Sequence, residues 1–365
     1  MGFKCGIVGL PNVGKSTLFN ALTQTAQAQA ENYPFCTIEP NIGEVPIPDP
    51  RLQSLAKIAK SEDTISTRMT FVDIAGLVKG ASRGEGLGNK FLANIREMDA
   101  VAYVLRCFDD DDITHVDGRI DPVSDSETVE TELMMSDLES IDRRLPIIEK
   151  KARSGDKESK DLLPVMKGAF DLLGSGKPAR LLKVRENEHA VFRNLQLLTA
   201  KPVLYVCNVD EKSASSGNHY SNAVSELAES EKARAVVICA GIEADLSQLN
   251  DVERTEYLLD IGIQETGLDR MINAGYELLN LMTYFTAGPK ETRVWTVPKG
   301  STAPRAAREI HTDFEHGFIR AEVISYEDYV SLGGEQRSKE AGRMRVEGKD
   351  YIVRDRDVIY FRFNV

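Results

Sequence analysis

Near its N-terminus the chain reads Gly9-Leu10-Pro11-Asn12-Val13-Gly14-Lys15-Ser16, the spacing G-x-x-x-x-G-K-[ST] of a phosphate-binding loop. Its two glycines allow a tight turn in which several backbone N–H groups point at a polyphosphate. A mostly apolar run at 3–9 precedes the loop, and apolar residues at helical spacing follow it through 16–22. These flanks predict a strand, a loop and a helix whose N-terminus faces the phosphates.

The loop supplies most of the candidate ligand contacts. Lys15 is expected to reach the β- and γ-phosphate oxygens and so to assist catalysis, and the Ser16 hydroxyl is expected to bind Mg²⁺. We therefore expect ATP or GTP as the ligand, together with Mg²⁺. The residues of this region that we predict to bind the nucleotide are Asn12, Val13, Gly14, Lys15, Ser16 and Thr17.

The composition is that of a globular protein with two or three domains. The chain has 365 residues, 42% of them hydrophobic, and no apolar run approaches the roughly 18 residues of a membrane span. It shows no signal-peptide pattern, and its five cysteines form no C-x-x-C pair. We therefore expect a cytoplasmic location and no membrane partner. The net charge of −12 argues against broad nucleic-acid binding and specific DNA recognition.

The loop after the first helix carries a second candidate metal ligand. Two prolines and two asparagines between 31 and 41 favour an irregular segment. Between the first helix and the next strand, a switch loop places the threonine that senses the γ-phosphate. We therefore expect Thr37 to bind Mg²⁺, with an ordinary loop threonine as the alternative.

A second strand-to-loop signal lies at 68–76. An apolar strand ends in Asp73, and Gly76 completes the pattern D-x-x-G. In phosphate-loop switch proteins this aspartate holds Mg²⁺ through water, and the glycine N–H contacts the γ-phosphate. The glycine-rich run that continues to residue 88 suits a loop that the nucleotide orders.

The residue after this motif bears on the rate of hydrolysis. Leu77 stands where Ras-like switch proteins place a glutamine that orients the attacking water. Leucine cannot form that hydrogen bond, so we expect slow turnover or a water positioned by another group. His115 follows the predicted strand 101–108, at the sheet edge where ligands of α/β proteins bind. It is the candidate catalytic residue for this role, and a surface histidine is the alternative.

The predicted base-reading motif is at 208–211, which reads Asn-Val-Asp-Glu where a GTPase would carry N-K-x-D. The usual aspartate accepts two hydrogen bonds from guanine, whereas Glu211 is one methylene longer and Val209 replaces the lysine. An unmet buried hydrogen bond costs about 1–3 kcal/mol, so a misplaced carboxylate removes most guanine preference. We predict that Asn208, Val209 and Glu211 contact the base and that ATP binds at least as well as GTP.

Residues 123–199 have the pattern of a helical insertion. Apolar residues recur at steps of four and three in two stretches, 134–148 and 162–173, on either side of the polar turn 153–157. This spacing predicts an antiparallel coiled-coil hairpin, and a third helical stretch is expected at 191–198. The insertion either serves packing alone or acts as a lever or docking arm.

The segment 282–365 predicts a small β-grasp domain. Strands are expected at 294–297, 318–324, 351–353 and 358–363, with a short helix at 304–310. The nucleotide-binding G-domain then comprises 1–122 and 200–281. Charge is nearly balanced in the C-terminal segment, which contains no catalytic constellation, so we expect an adaptor for RNA or protein.

Together these motifs resemble the YchF family of Obg-like ATPases, and the resemblance covers the whole chain. It rests on the loop 9–16, on 73–80 (DIAGLVKG), on 84–90 (GEGLGNK), on 208–211 and on the C-terminal end. The resemblance implies an ATPase with an N-x-x-E base motif, a coiled-coil insertion and a C-terminal domain of the ubiquitin-like TGS type. It also implies a hydrophobic residue after D-x-x-G and association with ribosomes.

The expected fold class is α/β. It combines a P-loop G-domain with a mostly parallel sheet, an inserted antiparallel coiled-coil helical hairpin and a C-terminal β-grasp (TGS) domain. The expected function is that of a Mg²⁺-dependent ATPase and ribosome-associated switch, in which water attacks the γ-phosphate directly. The expected partner is the ribosome, in particular its large subunit, or another RNA or protein that binds the TGS and helical domains.

Two other functions are compatible with the same motifs. One is a GTP-specific, translation-related GTPase, which the Asn-Val-Asp-Glu motif disfavours. The other is a nucleotide-regulated binding adaptor with incidental turnover, which Leu77 favours modestly. A phosphate-loop kinase is a more distant alternative, because no acceptor pocket is evident.

Overall fold

The computed structural model describes residues 2–30, 41–47, 49–74, 87–110 and 119–364. The strands in these ranges are β1 (Lys4–Val8), β2 (Ile42–Pro46), β3 (Asp63–Ile65), β4 (Arg68–Asp73), β5 (Ala100–Arg106), β6 (Val203–Asn208), β7 (Arg234–Ile238), β8 (Leu281–Ala287), β9 (Glu291–Pro298), β10 (Phe318–Ser325), β11 (Arg345–Glu347) and β12 (Asp357–Phe363). The helices are α1 (Lys15–Ala30), α2 (Pro50–Ala59), α3 (Leu87–Arg96), α4 (Pro122–Arg153), α5 (Lys157–Gly174), α6 (His189–Asn194), α7 (His219–Ser230), α8 (Ala240–Leu246), α9 (Asp251–Asp260), α10 (Gly267–Leu278), α11 (Ala303–Ile310), α12 (Thr312–His316), α13 (Tyr326–Leu332) and α14 (Glu335–Glu340). None of these helices is long and apolar enough to cross a membrane.

The first sheet holds the predicted nucleotide-binding motifs. Its strand order is β2-β4-β1-β5-β6-β7, and the neighbours pair in parallel except at β2 and β4. Strands β5 and β6 are buried along their whole length, which explains their continuous apolar sequences. Because β1, β4, β5 and β6 run in parallel, their C-terminal ends meet at one edge of the sheet. The predicted mostly parallel α/β sheet is therefore confirmed.

The helical insertion forms the predicted antiparallel hairpin from α4 and α5. Its core includes Ile141 on α4 and Met166, Ala169 and Leu173 on α5, all members of the predicted apolar stretches. The predicted third helix is shorter than expected. It is α6 alone, and the backbone of Gln196 adopts a left-handed conformation with φ of 53° just beyond it.

Helix α4 belongs to two hydrophobic cores. Val129 and Leu133, in its first half, are buried with the nucleotide-binding sheet, whereas Ile141 is buried inside the hairpin. One continuous helix of 32 residues thus connects the first sheet to the hairpin.

A buried ionic cluster fixes the base of the hairpin. Arg180 donates two hydrogen bonds to the Glu130 carboxylate, at 2.9 and 3.1 Å, and one to Glu231 at 2.6 Å. The hydroxyls of Tyr103 on β5 and Tyr205 on β6 donate to the same two carboxylates. Burial raises the pKa of Glu130, and the Arg180 guanidinium opposes that rise. The cluster therefore ties α4 and α7 to the two central strands.

The second sheet contains the C-terminal strands in the order β11-β10-β12-β8-β9-β3. Of the predicted strands, 351–353 forms only an isolated bridge between Ile352 and Thr302. The domain limits drawn from the sequence stay a prediction. A segment of the N-terminal half also joins this sheet. Strand β3 pairs in parallel with β9, and Leu52 and Leu55 of α2 are buried in a core with residues of β8, β9, β10 and β12.

Candidate nucleotide-binding site

The loop between β1 and α1 has the tight backbone that its glycines predict. Asn12 and Gly14 have φ of 64° and 87°, in the left-handed region. A Cβ atom on Gly14 would lie 2.2 Å from Asn208 Nδ2, and one on Gly9 would lie 2.6 Å from the Val104 carbonyl oxygen. Glycine therefore suits both positions, because a Cβ atom would collide with the buried Asn208 side chain or with the backbone of β5.

The phosphate end of the site pairs two of the predicted residues. The Lys15 ammonium group contacts Asp73 Oδ1, and the two side chains are only 11% and 13% exposed. Ser16 and Thr17 are exposed in the first turn of α1. The structure therefore brings the lysine, the hydroxyl and the carboxylate of the predicted phosphate and metal site to one edge of the sheet.

Some predicted site residues lie outside the described residues. They are Thr37, Gly76 and His115, and Leu77 is in the same undescribed range as Gly76. Their roles in Mg²⁺ binding, γ-phosphate contact and water positioning stay predictions.

Asn208 connects the phosphate-binding loop to the start of α8. Its Nδ2 donates to the Val13 carbonyl at 3.0 Å, and its Oδ1 accepts from the Ala240 N–H at 3.0 Å. The side chain is 4% exposed. Val13 contributes this backbone carbonyl, while its side chain is buried in the core. Asn208 therefore fixes the phosphate-binding loop relative to the C-terminal ends of β6 and β7. It also lines the cavity beside them.

A cavity of about 760 Å³ lies beside the loop. Val209 is buried in its wall, and Glu211 is exposed in the turn that follows β6. The predicted residues that line the cavity are Asn12, Gly14, Thr17, Asn208, Val209 and Glu211. The cavity is large enough for a purine nucleoside, and it adjoins the phosphate end.

Several lining residues were not among the predicted contacts. They are Phe108, Asp109, Asp110, Asp210, Lys212, Cys239, Ala240 and Gly241. Most directly follow a strand of the first sheet, which is the signal that could have identified them. Asp109 and Asp110 are exposed, and both line the cavity.

Polar contacts hold the loop after β5 in place. Arg106 is buried, and its guanidinium donates to the backbone carbonyls of Phe108 and Asp110 at 3.1 and 2.9 Å. The same guanidinium lies 4.9 Å from the centre of the Phe108 ring. Asp109 accepts a hydrogen bond from the Tyr220 hydroxyl at 3.1 Å. One wall of the cavity is therefore fixed by a buried arginine.

Comparisons with known proteins agree over the full chain. A family model described as a 50S ribosome-binding GTPase matches residues 4–136, and the C-terminal model of YchF GTPases, described as a protein of unknown function, matches 281–364. The Haemophilus influenzae protein named ribosome-binding ATPase YchF is 57% identical over 100% of both chains. The Bacillus subtilis protein of the same name is 51% identical, also over 100% of both chains.

A solved structure is similar as well. The structure of the Schizosaccharomyces pombe YchF GTPase superimposes with a TM-score of 0.85 at 34% identity, and the match covers 99% of this chain and 98% of that chain. Relatives of this similarity along the whole chain confirm the resemblance that the motifs carried. The chain belongs to the YchF family.

Proposed function

We propose that this protein is a Mg²⁺-dependent ATPase that works in the cytoplasm as a ribosome-associated molecular switch. The observation that carries the proposal is that the phosphate end and the base end of the site lie next to each other and are joined by a hydrogen bond. The phosphate end contains Lys15 and Asp73, and the base end is the cavity lined by Asn208 and Glu211. Asn208 joins the two ends through its hydrogen bond to the Val13 carbonyl.

At the phosphate end, the donor set suits magnesium. Ser16 offers a hydroxyl and Asp73 a carboxylate, and Mg²⁺ prefers oxygen ligands and retains several waters. Ser16 would bind the ion directly and Asp73 through water, while Lys15 and the loop N–H groups bind the phosphates. When bound, the ion would neutralise charge on the β- and γ-phosphates.

At the base end, we propose a preference for ATP. Glu211 replaces the shorter carboxylate that reads guanine, and it lines the cavity from an exposed position in the turn that follows β6. The names of the similar proteins differ on this point. The H. influenzae relative is named an ATPase, whereas the S. pombe structure and the N-terminal family model are named for GTPases.

The tip of the helical hairpin carries more basic than acidic side chains. Between α4 and α5 three acidic side chains are exposed (Asp156, Glu158 and Asp161), against five exposed basic side chains: Lys150, Lys151, Arg153, Lys157 and Lys160. Such a cluster attracts the phosphates of RNA. We propose that the hairpin tip contacts RNA of the large ribosomal subunit, and the relatives named as ribosome-binding support this choice.

The decisive experiment measures ATP and GTP affinity and turnover, each with and without ribosomes and isolated large subunits. We expect tighter binding of ATP than of GTP, slow basal hydrolysis and faster hydrolysis with ribosomes. Tenfold tighter binding of GTP would overturn the base assignment. A rate that ribosomes leave unchanged, together with ribosome affinity that depends on the bound nucleotide, would favour the binding adaptor.

Charge reversal tests the hairpin tip. The double variant Lys150→Glu/Lys157→Glu is expected to weaken ribosome binding at least about tenfold, because each lost phosphate contact lowers affinity. Its ATP affinity is expected to stay unchanged. The matched control is Lys57→Glu/Lys60→Glu, which reverses two exposed lysines beside the second sheet. Equal effects of the two double variants would place the contact elsewhere.

A further inference from the structure

The backbone N–H groups at the start of α8 have partners inside the protein. The Ala240 N–H donates to Asn208 Oδ1 at 3.0 Å, and the Glu243 N–H donates to the Cys239 carbonyl at 3.0 Å. Burial raises the pKa of the Cys239 thiol, and the N–H groups of Ile242 and Gly241 partly offset that rise. The first turn of this helix therefore directs its donors at neighbouring protein atoms.

This turn forms part of the base end of the site. Ala240 and Asn208 both line the cavity, so the hydrogen bond between them lies in its wall. Among the described lining residues, the carboxylates of Asp109, Asp110, Asp210 and Glu211 outnumber the single ammonium group of Lys212. The wall is thus rich in acceptors, and Asn208 occupies one of its backbone donors.

The two purines make opposite demands on such a wall. Adenine carries a donor at position 6, its amino group, whereas guanine carries an acceptor, its O6 atom. We propose that the hydrogen bond from the Ala240 N–H to Asn208 selects 6-aminopurines over 6-oxopurines, because it removes the donor that O6 would need. The inference rests on the proposed function, in which this cavity receives the base.

Inosine triphosphate narrows the comparison to positions 1 and 6 of the purine. Hypoxanthine has the 6-oxo group and the N1–H of guanine but no 2-amino group, so the ratio of ATP to ITP affinity excludes any contact of Glu211 with that amino group. A contact with N1–H is the same before and after a substitution at the bond between Asn208 and Ala240, so the change in the ratio reports position 6. Contacts to N7, which is an acceptor in both purines, cancel in the same ratio. Each affinity is measured by calorimetric titration of the full chain with Mg²⁺.

Two substitutions act on the bond from opposite sides. Asn208→Ala removes the acceptor and frees the Ala240 N–H. Ala240→Pro removes the N–H itself, at the first position of α8, where proline suits a helix. The preceding Cys239 is extended, with φ of −108° and ψ of 108°, which is the conformation favoured before proline.

We expect wild-type protein to bind ATP more tightly than ITP. Asn208→Ala is expected to narrow that ratio about threefold to tenfold, the effect of one hydrogen bond. Ala240→Pro alone is expected to leave the ratio of ATP to ITP affinity unchanged. In the double variant Asn208→Ala/Ala240→Pro, the improvement of ITP binding that Asn208→Ala produces is expected to disappear. Circular dichroism confirms that each variant is folded.

Three results would overturn the inference. The first is an unchanged ratio of ATP to ITP affinity in folded Asn208→Ala. The second is a gain in ITP binding that persists when Ala240→Pro is added to Asn208→Ala. The third is a loss of ITP binding in Ala240→Pro alone. The last result is informative even if Asn208→Ala does not fold, because it would show that the N–H already serves O6. Failure of wild-type protein to bind any of these nucleotides would instead refute the proposed function, and the inference with it.

Discussion

The carboxylate of Asp137 accepts hydrogen bonds from both the backbone N–H and the hydroxyl of Thr199, at 2.9 and 2.7 Å. A third bond comes from the N–H of Leu198 at 2.8 Å. Two residues further on, Lys201 donates to the carbonyls of Arg96 and Met98 at the end of α3. The turn that precedes β6 is therefore bound to the hairpin on one side and to α3 on the other.

Replacing Asp137 by alanine is expected to destabilise the fold by about 2–4 kcal/mol, because it leaves two buried backbone N–H groups without an acceptor. Asp137 is 1% exposed, so its carboxylate and the N–H groups that it accepts from lie away from bulk solvent. Denaturation by urea, followed by circular dichroism, measures the loss. The control is Asp142→Ala, an exposed position on the same helix. A loss no larger than that of the control would contradict the structural role.

Asp73→Asn separates metal support from phosphate binding. The substitution keeps the shape of the side chain but removes the charge that contacts Lys15. We expect ATP affinity in the presence of Mg²⁺ to fall about tenfold or more, and affinity in a chelator to stay equal or rise, because Lys15 loses a competing carboxylate. Titrations of ATP under the two conditions give the comparison. An equal loss in both would argue that Asp73 does not act through the metal.

Glu211→Asp tests whether the carboxylate at position 211 contacts the 2-amino group of guanine. A carboxylate shortened by one methylene is expected to regain hydrogen bonds to the guanine 2-amino group and to improve GTP binding relative to ITP about threefold to tenfold. ITP binding should also improve relative to ATP, because hypoxanthine carries the N1–H donor that guanine carries and adenine lacks, so the gain of GTP over ITP reports the 2-amino group. Calorimetric titration of the three nucleotides decides the matter, and no gain for GTP would count against a base contact by this residue.

Leu55→Ala examines the segment that crosses to the second sheet. Leu55 is fully buried against Phe285 and its neighbours, so truncation is expected to cost about 2–5 kcal/mol. Trp295, the single tryptophan of the chain, lies on β9 and reports unfolding of that sheet by fluorescence. The midpoint of urea denaturation, followed by this fluorescence, should fall in Leu55→Ala. It should not fall in Lys57→Ala, an exposed position on the same helix. An unchanged midpoint would show that α2 does not support the sheet.

Glu322 is expected to make the stability of the fold depend on pH. Hydrogen bonds from Arg362, and then from Arg320, hold the pKa of Glu322 below its ordinary value of 4.5. The folded state therefore binds this proton less readily than the unfolded chain, so the carboxylate stabilises the fold above about pH 4.5 and loses that effect as the pH falls through its folded pKa. The pair is partly solvated, so the contribution is about 1 kcal/mol or less.

The variant Glu322→Gln should accordingly be less stable than wild type at neutral pH and equal to it in acid. Urea denaturation across this range measures the difference, with Glu229→Gln as an exposed control. A difference that persists at the lowest pH would mean that the charge of Glu322 is not the cause.

The sequence predicted features whose signals are local. The phosphate-binding loop and the hairpin follow from fixed spacings within short windows, and both were found where expected. The bond between Asn208 and Ala240 joins residues 32 positions apart, at the ends of adjacent strands. No spacing rule marks it, because it depends on strand order and on the orientation of one amide.

The addition of β3 to the second sheet was also beyond local patterns. This strand is only three residues long, with an exposed aspartate first, and it pairs with Glu291, Thr292 and Arg293 far along the chain. Short polar strands resemble turns by composition. The pairing follows instead from α2, whose buried leucines attach the segment to the sheet.

The crossing of residues 49–65 from the first sheet to the second has a consequence for how the protein can be divided. A fragment that starts at β8 would contain the whole C-terminal family match but would leave the edge of β9 unpaired and the apolar surface under α2 bare. An uncovered edge of this kind is a template for aggregation. The C-terminal part therefore cannot be exchanged between relatives by itself. A chimera would stay soluble only if residues 49–65 and the part from β8 onward came from the same parent protein.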